Sequence, residues 1–368
     1  MTATDLKASM ARGYTLPAPW YSDPALFSRE LSVIFRRSWL YAGHVGQAAN
    51  PGDYLTFEAG DVPVVIVRQR DGALKAFVNV CRHRGTMVVQ GSGSGQSLQC
   101  PYHAWTYDLD GELRAVPRSE AEPGFDCAEF SLLPVDVETW GPFVFVNVDA
   151  EASPLGSVLG DLPDQLRAGG IDVDSLRFKL HDEWELKANW KITVENYLEC
   201  YHCPVAHPEF SKVIDVRPEQ YRLSSAGWVW SQVGPVRESV RAGAADADWA
   251  RGEIADSQFH LLWPNCTLNT YPGAPNLIFS VYRPIDAERT LMVSDAFFPE
   301  GVDEGAIRAM FKFSAQVTRE DQGLVEAVHH GLRSGIVNQG RLLLNSEHLI
   351  HRFQRLIHEA LTTESPAQ

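Results

Sequence analysis

Two stretches of the 368-residue chain carry residue types at spacings that can hold metals. In the first, Cys81-Arg-His83 and Cys100-Pro-Tyr-His103 give C-x-H, sixteen intervening residues, then C-x2-H. Two thiolates and two neutral imidazoles can bind zinc tetrahedrally. They can equally hold a [2Fe–2S] cluster, with both cysteines on one iron and both histidines on the other. The glycine-rich GSGSG between them allows a flexible crossing between two ligand loops, and Tyr102, Trp105 and Tyr107 can shelter the group from water. The second stretch, NWKITVENYLECYHCPVAH from Asn189, carries His202 and His207. Neutral imidazoles suit Fe(II), and a carboxylate would complete a facial triad with open positions. The bland alternative is two ordinary buried or capping histidines. Five residues of ideal helix turn through about 500°, so the two rings would not share a face. Pro204 predicts that a helix over 189–202 bends just after His202 and lets His207 swing back. Glu199 lies three residues before His202, on the same helix face, where its carboxylate can accept an imidazole N–H and orient the ring. Asn189, Glu195 and Asn196 are further candidates for buried polar support.

The elements that must position these residues change texture along the chain. Residues 1–40 read as helical, with ALFSRELSVIFRRSWL following helical apolar spacing. From 41 to 150, short apolar runs such as VPVVIVRQ and GPFVFVNVD alternate with turn signals at Pro51-Gly52, Asp71-Gly72 and Asp110-Gly111, an all-β unit of hairpins. Residues 151–368 open with a linker and short helix, then read as strand-like LRFKLHDEWELKA, the helix at 189–202, strands over 221–233 and 259–298, and a strongly helical last 65 residues. The Ala/Asp/Arg-rich 236–256 reads as a surface excursion. The expected fold is α+β: an all-β unit inserted before an antiparallel-sheet domain with helices packed on it, a helix-grip-like arrangement.

Composition narrows the partners. Lys and Arg total 32 against 47 Asp and Glu, a net charge of −15. That balance argues against nucleic acid or an anionic membrane as the main partner. The N-terminus has no apolar run after its basic residues, and no uncharged apolar stretch is long enough to span a membrane. Six cysteines, at 81, 100, 127, 200, 203 and 266, are sparse for a disulfide scaffold and point to a reducing cytoplasm.

The complete pattern CRHRG…CPYHAWTYDLDG resembles that of Rieske proteins of the ring-hydroxylating oxygenase type, and the NWKITVENYLECYHCPVAH segment resembles the iron-binding motif of their α subunits. The resemblance covers nearly the whole chain. It implies a Rieske [2Fe–2S] cluster held by Cys81, His83, Cys100 and His103, and a mononuclear iron held by His202, His207 and an aspartate of a late helix. Within Glu320-Asp321-Gln-Gly-Leu-Val-Glu326 that aspartate is Asp321. It also implies dioxygen as cosubstrate, a separate flavin and iron–sulfur reductase drawing on NAD(P)H, and a homotrimer in which Glu199 bridges the cluster of one subunit and the iron of the next, from His103 to His202. Two departures stand out. Glu199 replaces the aspartate common in aromatic-ring dioxygenases, and His329-His330, before Gly331, stands where a glutamine followed by a basic or polar residue is expected.

The wording ENYLECYHCPVAHPEF is most similar to the subgroup acting on carnitine, glycine betaine, proline betaine and choline, as is LLWPNCTLNTYPGAPN. The resemblance implies a monooxygenase oxidising a small quaternary or tertiary N-methylated amine, with N-demethylation releasing formaldehyde, or trimethylamine release from a carnitine-type substrate. Trp184, Tyr201, Trp228, Trp230, Trp263, Tyr271 and Tyr282 could supply a cationic cage, at roughly 0.5–2 kcal/mol per ring. Trp263 and Tyr271 head that set, followed by Tyr201, Trp228 and Trp230. Arg283 could hold a betaine carboxylate. Ten tryptophans in an enzyme of this size are mostly core, and Trp228/Trp230 also has the alternation of one buried strand face. The alternatives are hydroxylation or dihydroxylation of an aromatic acid or ring, and an electron-transfer or binding protein without catalysis.

Overall fold

The computed structural model describes residues 3–120, 122–243 and 247–363. The chain forms two compact units, one of Ile34–Leu155 and one of Met1–Val33 with Gly156–Gln368.

The contiguous unit is all-β. Its strands are β1 (Leu40–His44), β2 (Asp53–Ala59), β3 (Val62–Arg68), β4 (Leu74–Val78), β5 (Ser92–Ser94), β6 (Leu98–Gln99), β7 (Thr106–Tyr107), β8 (Leu113–Ala115), β9 (Pro134–Trp140) and β10 (Phe143–Asn147). Seven pair antiparallel in the order β1-β10-β9-β4-β3-β2-β5, and β6-β7-β8 make a small second sheet. The Asp71-Gly72 turn that joins β3 to β4 has Gly72 at φ 89°, a region that favours glycine. Val65, Val67, Phe77, Leu98, Trp105, Tyr107, Leu113 and Leu132 form a core that also contains Cys81 and Cys100.

The second unit is built on an antiparallel sheet of β11 (Arg177–Leu186), β12 (Arg222–Ala226), β13 (Val229–Pro235), β14 (Asp256–Leu262), β15 (Cys266–Thr270), β16 (Leu277–Pro284) and β17 (Thr290–Phe298). The order is β11-β17-β16-β15-β14-β13-β12. The helix Trp190–Tyr197 packs on β16 and on the long helix Glu304–Arg333. The fold is α+β, as expected from the sequence.

Two local expectations need correction. The helix predicted over 189–202 stops at Tyr197, and a separate short helix, Cys203–Ala206, carries Pro204 in its first turn, where a missing N–H costs little. The break comes earlier because the Glu199 carboxylate accepts the backbone N–H groups of Tyr201 and His202, an alternative to continued helix. Glu199 therefore lies in a loop rather than on a helix face. The segment 236–256, apart from 244–246, which lie outside the described residues, is no surface excursion. Val236, Val240, Ala247 and Ala250 enter the core with Phe259, Ile278 and Met310.

The N-terminal residues clamp the helix that leads to His202. Asn189 caps it by accepting the Lys191 N–H, at 3.0 Å. Lys191, fully buried, meets Glu30 Oε1 at 2.5 Å, and Trp190 Nε1 donates to Glu30 Oε2 at 2.7 Å. Tyr21 Oη donates to Glu195 at 2.8 Å. Burial pushes the Glu195 carboxyl up to about 7, against the Tyr21 and Gln354 hydrogen bonds and the Lys191 charge, which lower it.

Removing one partner of a buried pair strands the other. Glu30→Ala should cost about 3–5 kcal/mol in denaturant unfolding, and a Glu30→Met/Lys191→Met double variant should recover most of it. Glu195 supplies a pH dependence. Its folded pKa is raised above the usual carboxylate value, so its contribution is fully present below about pH 4.5 and is lost as pH rises towards about 7. Glu195→Gln should flatten the stability profile over that window by about 3 kcal/mol, and an unchanged slope would refute the assignment.

Candidate active site: two donor sets and an aromatic cavity

In the all-β unit, the loops after β4 and β6 bring Cys81, His83, Cys100 and His103 together. Both cysteines are buried and unbridged, while His83 and His103 are exposed with their Nδ1 atoms 3.1 Å apart. Tyr107 Oη donates to Cys81 Sγ at 3.4 Å. The backbone N–H groups of Tyr102 and His103 point at the Cys100 thiol, whose pKa burial nonetheless raises. Trp105 stacks on His83, 4.9 Å between centroids, and Phe125 and Phe130 pack edge-on against Trp105.

In the other unit, one ligand atom each of His202, His207 and Asp321 lies within 4.8 Å of the others. His207 Nε2 is 3.1 Å from His202 Nε2 and 2.9 Å from Asp321 Oδ1. A carboxylate holds each ring from behind: Glu199 at His202 Nδ1, and Glu320 Oε2 at His207 Nδ1, 2.7 Å away. Carboxylates accept only, so both Nδ1 atoms carry a proton, and both Nε2 atoms face the common point beside Asp321, where a bound metal would take the place of any Nε2 proton. Gln316 Nε2 steadies Glu320 from one turn earlier, at 3.0 Å. Burial lowers the His202 pKa, but Asp321 and Glu199 override it and push it up to about 9. The contact of Glu320 with His207 was not foreseen from the sequence; its adjacency to Asp321 was the available signal.

The triad forms one end of a cavity with about 620 Å³ of empty space. Its floor is one face of the sheet: Gln232 of β13, Phe259 of β14, Asn269 of β15, Ser280 and Tyr282 of β16, and Met292 of β17. Strand alternation puts Ser280 and Tyr282 on the same face and Arg283 on the other. The long helix contributes Ser314, Val317, Thr318 and Asp321, spaced three and four apart on one face. Six aromatic rings line the space, those of Tyr197, Phe210, Tyr221, Phe259, Tyr271 and Tyr282. Burial raises the Tyr271 phenol to about 12 and Tyr282 further, and the Asp321 charge adds to both. No Lys or Arg lines the cavity among the described residues.

Of the aromatic cage expected from the sequence, Tyr271 and Tyr282 line this cavity and the others do not. Trp230 lies on the same face of β13 as Gln232 but two residues further along. There it packs on Trp263, which also meets Trp228 and lies 5.7 Å from Phe353 of the helix His348–Thr362. That helix covers Trp230 and Trp263, which are core, while Trp228 is 44% exposed. Tyr201 is 63% exposed and borders a neighbouring hollow with Pro204 and Tyr221. Trp184 holds Asp182 through Nε1 and carries Arg319 over its ring. Cys200 and Cys203, on either side of His202, form a disulfide that the sparse cysteines gave no reason to expect.

A Rieske [2Fe-2S] domain model matches residues 38–136, and the ring hydroxylating alpha subunit (catalytic domain) model matches residues 173–363. The chain belongs to the Rieske ring-hydroxylating oxygenase family. As a Rieske oxygenase it is an iron-dependent oxidoreductase of a family that uses a [2Fe–2S] cluster, a mononuclear non-haem iron and dioxygen. It is 34% identical to the carnitine monooxygenase oxygenase subunit of Acinetobacter pittii, covering 96% of each chain. It is 30% identical to the chloroplastic choline monooxygenase of Arabidopsis thaliana, over 98% of this chain and 86% of the other. Among solved structures, it matches a quaternary ammonium Rieske monooxygenase described for carnitine oxidation and inter-subunit electron transfer (32% identical, 96% and 97% of the two chains, TM-score 0.82).

Both donor sets of this Rieske oxygenase suit those groups. Two unbridged thiols with N–H and O–H donors aimed at sulfur, beside two exposed imidazoles, match a Rieske cluster. Two imidazoles and Asp321, with a carboxylate behind each ring, match a mononuclear divalent metal. Glu320→Gln tests the second match: loosening His207 should weaken iron retention about 10–100-fold in a chelator competition, while the visible [2Fe–2S] spectrum stays unchanged.

Proposed function

We propose that this oxygenase oxidises one N-methyl carbon of a quaternary or tertiary amine, using dioxygen, two electrons and two protons, and that the resulting hemiaminal releases formaldehyde and the demethylated amine. The observation that carries this reading is the cavity beside His202, His207 and Asp321. Six aromatic rings and carboxylates wall it, and no Lys or Arg lines it among the described residues. A cationic methylammonium gains roughly 0.5–2 kcal/mol per well-placed ring in such a site, and an anionic aromatic acid meets no Lys or Arg among the described lining residues. The relatives named for carnitine and choline oxidation point the same way.

In this reading Cys81, His83, Cys100 and His103 hold the cluster, and His202, His207 and Asp321 hold the iron. When bound, the two centres supply electron relay and dioxygen activation. The protein's own side chains do the rest. Glu199 and Glu320 fix the ring tautomers and orientations. Tyr271, tied to Ser314 across 3.3 Å, and Tyr282 present ring faces to the ammonium. Phe210 and Phe259, 5.7 Å apart, exclude water from the reacting methyl. Glu199 further serves as the bridge from His202 to His103 of a neighbouring subunit in a homotrimer, and a separate flavin and iron–sulfur reductase supplies electrons from NAD(P)H. The relative described for inter-subunit electron transfer supports a bridge between subunits, and the family resemblance supports the trimer and the reductase.

The test is a substrate panel with anaerobically reconstituted protein, a surrogate reductase and NADH, reading oxygen uptake and formaldehyde. Formaldehyde stoichiometric with one methylated amine is the expected result. Trimethylamine without formaldehyde would replace demethylation by C–N cleavage. Coupled oxygen uptake with an aromatic acid alone, the amines remaining silent, would sink the amine reading.

A further inference from the structure

The bridge between Cys200 and Cys203 encloses only Tyr201 and His202, with the two cysteine Cα atoms 4.9 Å apart. A bridge closing so short a loop constrains the unfolded chain less than a long-range one, so its effect is mainly local. Locally it joins the surroundings of the two imidazoles. Cys200 follows Glu199, whose carboxylate accepts the backbone N–H groups of Tyr201 and His202. The Cys203 N–H donates to the Cys200 carbonyl at 3.3 Å. The Cys203 carbonyl in turn accepts the His207 N–H at 2.9 Å and the Ser211 hydroxyl at 3.1 Å. Closing the bridge therefore ties the loop that carries His202 to the turn that holds His207.

The pair can be approached from two sides. Both cysteines are buried, and both line the cavity with His202, His207 and Asp321. Cys200 also borders the neighbouring hollow with Tyr201, Pro204 and His348. A small oxidant formed in the cavity meets the pair from within, and a reductant entering the hollow meets Cys200 from without. The other cysteines show that bridging is selective. Cys81, Cys100, Cys127 and Cys266 are unbridged, and the first two must stay reduced to hold a cluster. The bridged pair is the one placed where a Rieske oxygenase handles dioxygen.

We propose that Cys200 and Cys203 are a redox modification site, a reversible dithiol–disulfide couple that responds to hydrogen peroxide released into the cavity. Dioxygen that takes up two electrons and two protons without oxidising a substrate leaves as hydrogen peroxide. One thiol takes an oxygen from the peroxide, becoming a sulfenic acid and releasing water. The second thiol displaces that oxygen as another water and forms the S–S bond, so two thiols are oxidised and one peroxide is reduced to water. A dithiol reductant reverses the step by exchange, restoring both thiols and leaving as its own disulfide. Closed, the couple grips the loops of both imidazoles. Open, it lets His202 loosen.

The test uses the full chain, with the thiol state read by alkylation and peptide mass. Anaerobic dithiothreitol should open the bridge, so that both cysteines take up the alkylating agent. Stoichiometric hydrogen peroxide should close it again, with Cys266 still alkylated after denaturation and the [2Fe–2S] absorption retained. Ferrous iron should pass to a chelator about tenfold more slowly from the closed form than from the open one. A Cys200→Ser/Cys203→Ser variant should release it at the open rate whatever the treatment. If that variant does not fold, the thiol states and release rates of the unsubstituted protein decide. The couple is overturned if the bridge of the folded protein resists dithiothreitol, or if peroxide leaves the thiols untouched or carries them past the disulfide. Equal iron release from the two forms overturns the grip on the imidazoles.

Discussion

Negative charge gathered with no Lys or Arg in the cavity lining among the described residues is the constraint on which the second unit turns. Asp321 is half-buried with two imidazoles, and Glu199 and Glu320 stand directly behind those rings. Carboxylates kept this close in a poorly solvated space repel one another unless a cation joins them. A divalent metal at the Nε2 focus satisfies that demand locally. The surrounding fold supplies what the charges cannot: rigidity, so that three ligand atoms from distant parts of the sequence meet at one point. The buried Lys191–Glu30 pair, the Asn189 cap and the sheet beneath serve that end. They hold the helix before His202 while the long helix carries Asp321 to meet it.

The same field governs what enters. Aromatic rings alone accept many ligands, because their faces are broadly apolar. Rings in a cavity bordered by carboxylates favour a cation whose charge is spread over methyl groups, which loses little hydration on entry. Tyrosine suits the lining better than phenylalanine would, since each phenol remains a neutral donor at the pH of catalysis. The site thus combines a metal focus, a cation-tolerant wall and a small number of polar atoms, the composition expected of a selective small-molecule pocket.

Much of this was legible in the chain. The spacing of Cys81, His83, Cys100 and His103 and the crowding of His202 and His207 are local patterns, and local patterns survive in sequence. Asp321 required a resemblance, because one acid in a long helix has nothing local to distinguish it. The substrate wall was only partly readable. Alternation along a strand tells which residues share a face, but not how far along that face a covering helix ends. Trp230 and Gln232 share a face of β13, yet Arg352 of the helix His348–Thr362 lies over the first while the cavity reaches the second. The early stop of the helix at Tyr197 was hidden for a different reason. It depends on a side chain capturing backbone N–H groups, a competition that helix periodicity does not register.

The clamp on the helix before His202 has a consequence for how the chain is made. Ile34–Leu155 is contiguous, and its sheet closes when β10 meets β1, Leu40 opposite Val146. That unit can fold on the ribosome as soon as its last strand emerges. The first 33 residues cannot: Glu30 must wait for Lys191, Tyr21 for Glu195, and the Leu16 N–H for Gln354, at separations of 161, 174 and 338 residues. His207 likewise waits for Asp321, 114 residues later. Synthesis therefore imposes an order in which the thiol-rich loops are complete well before the Nε2 focus exists. A cell can furnish the two sites by separate delivery events, sulfur and iron early, and a single ion last.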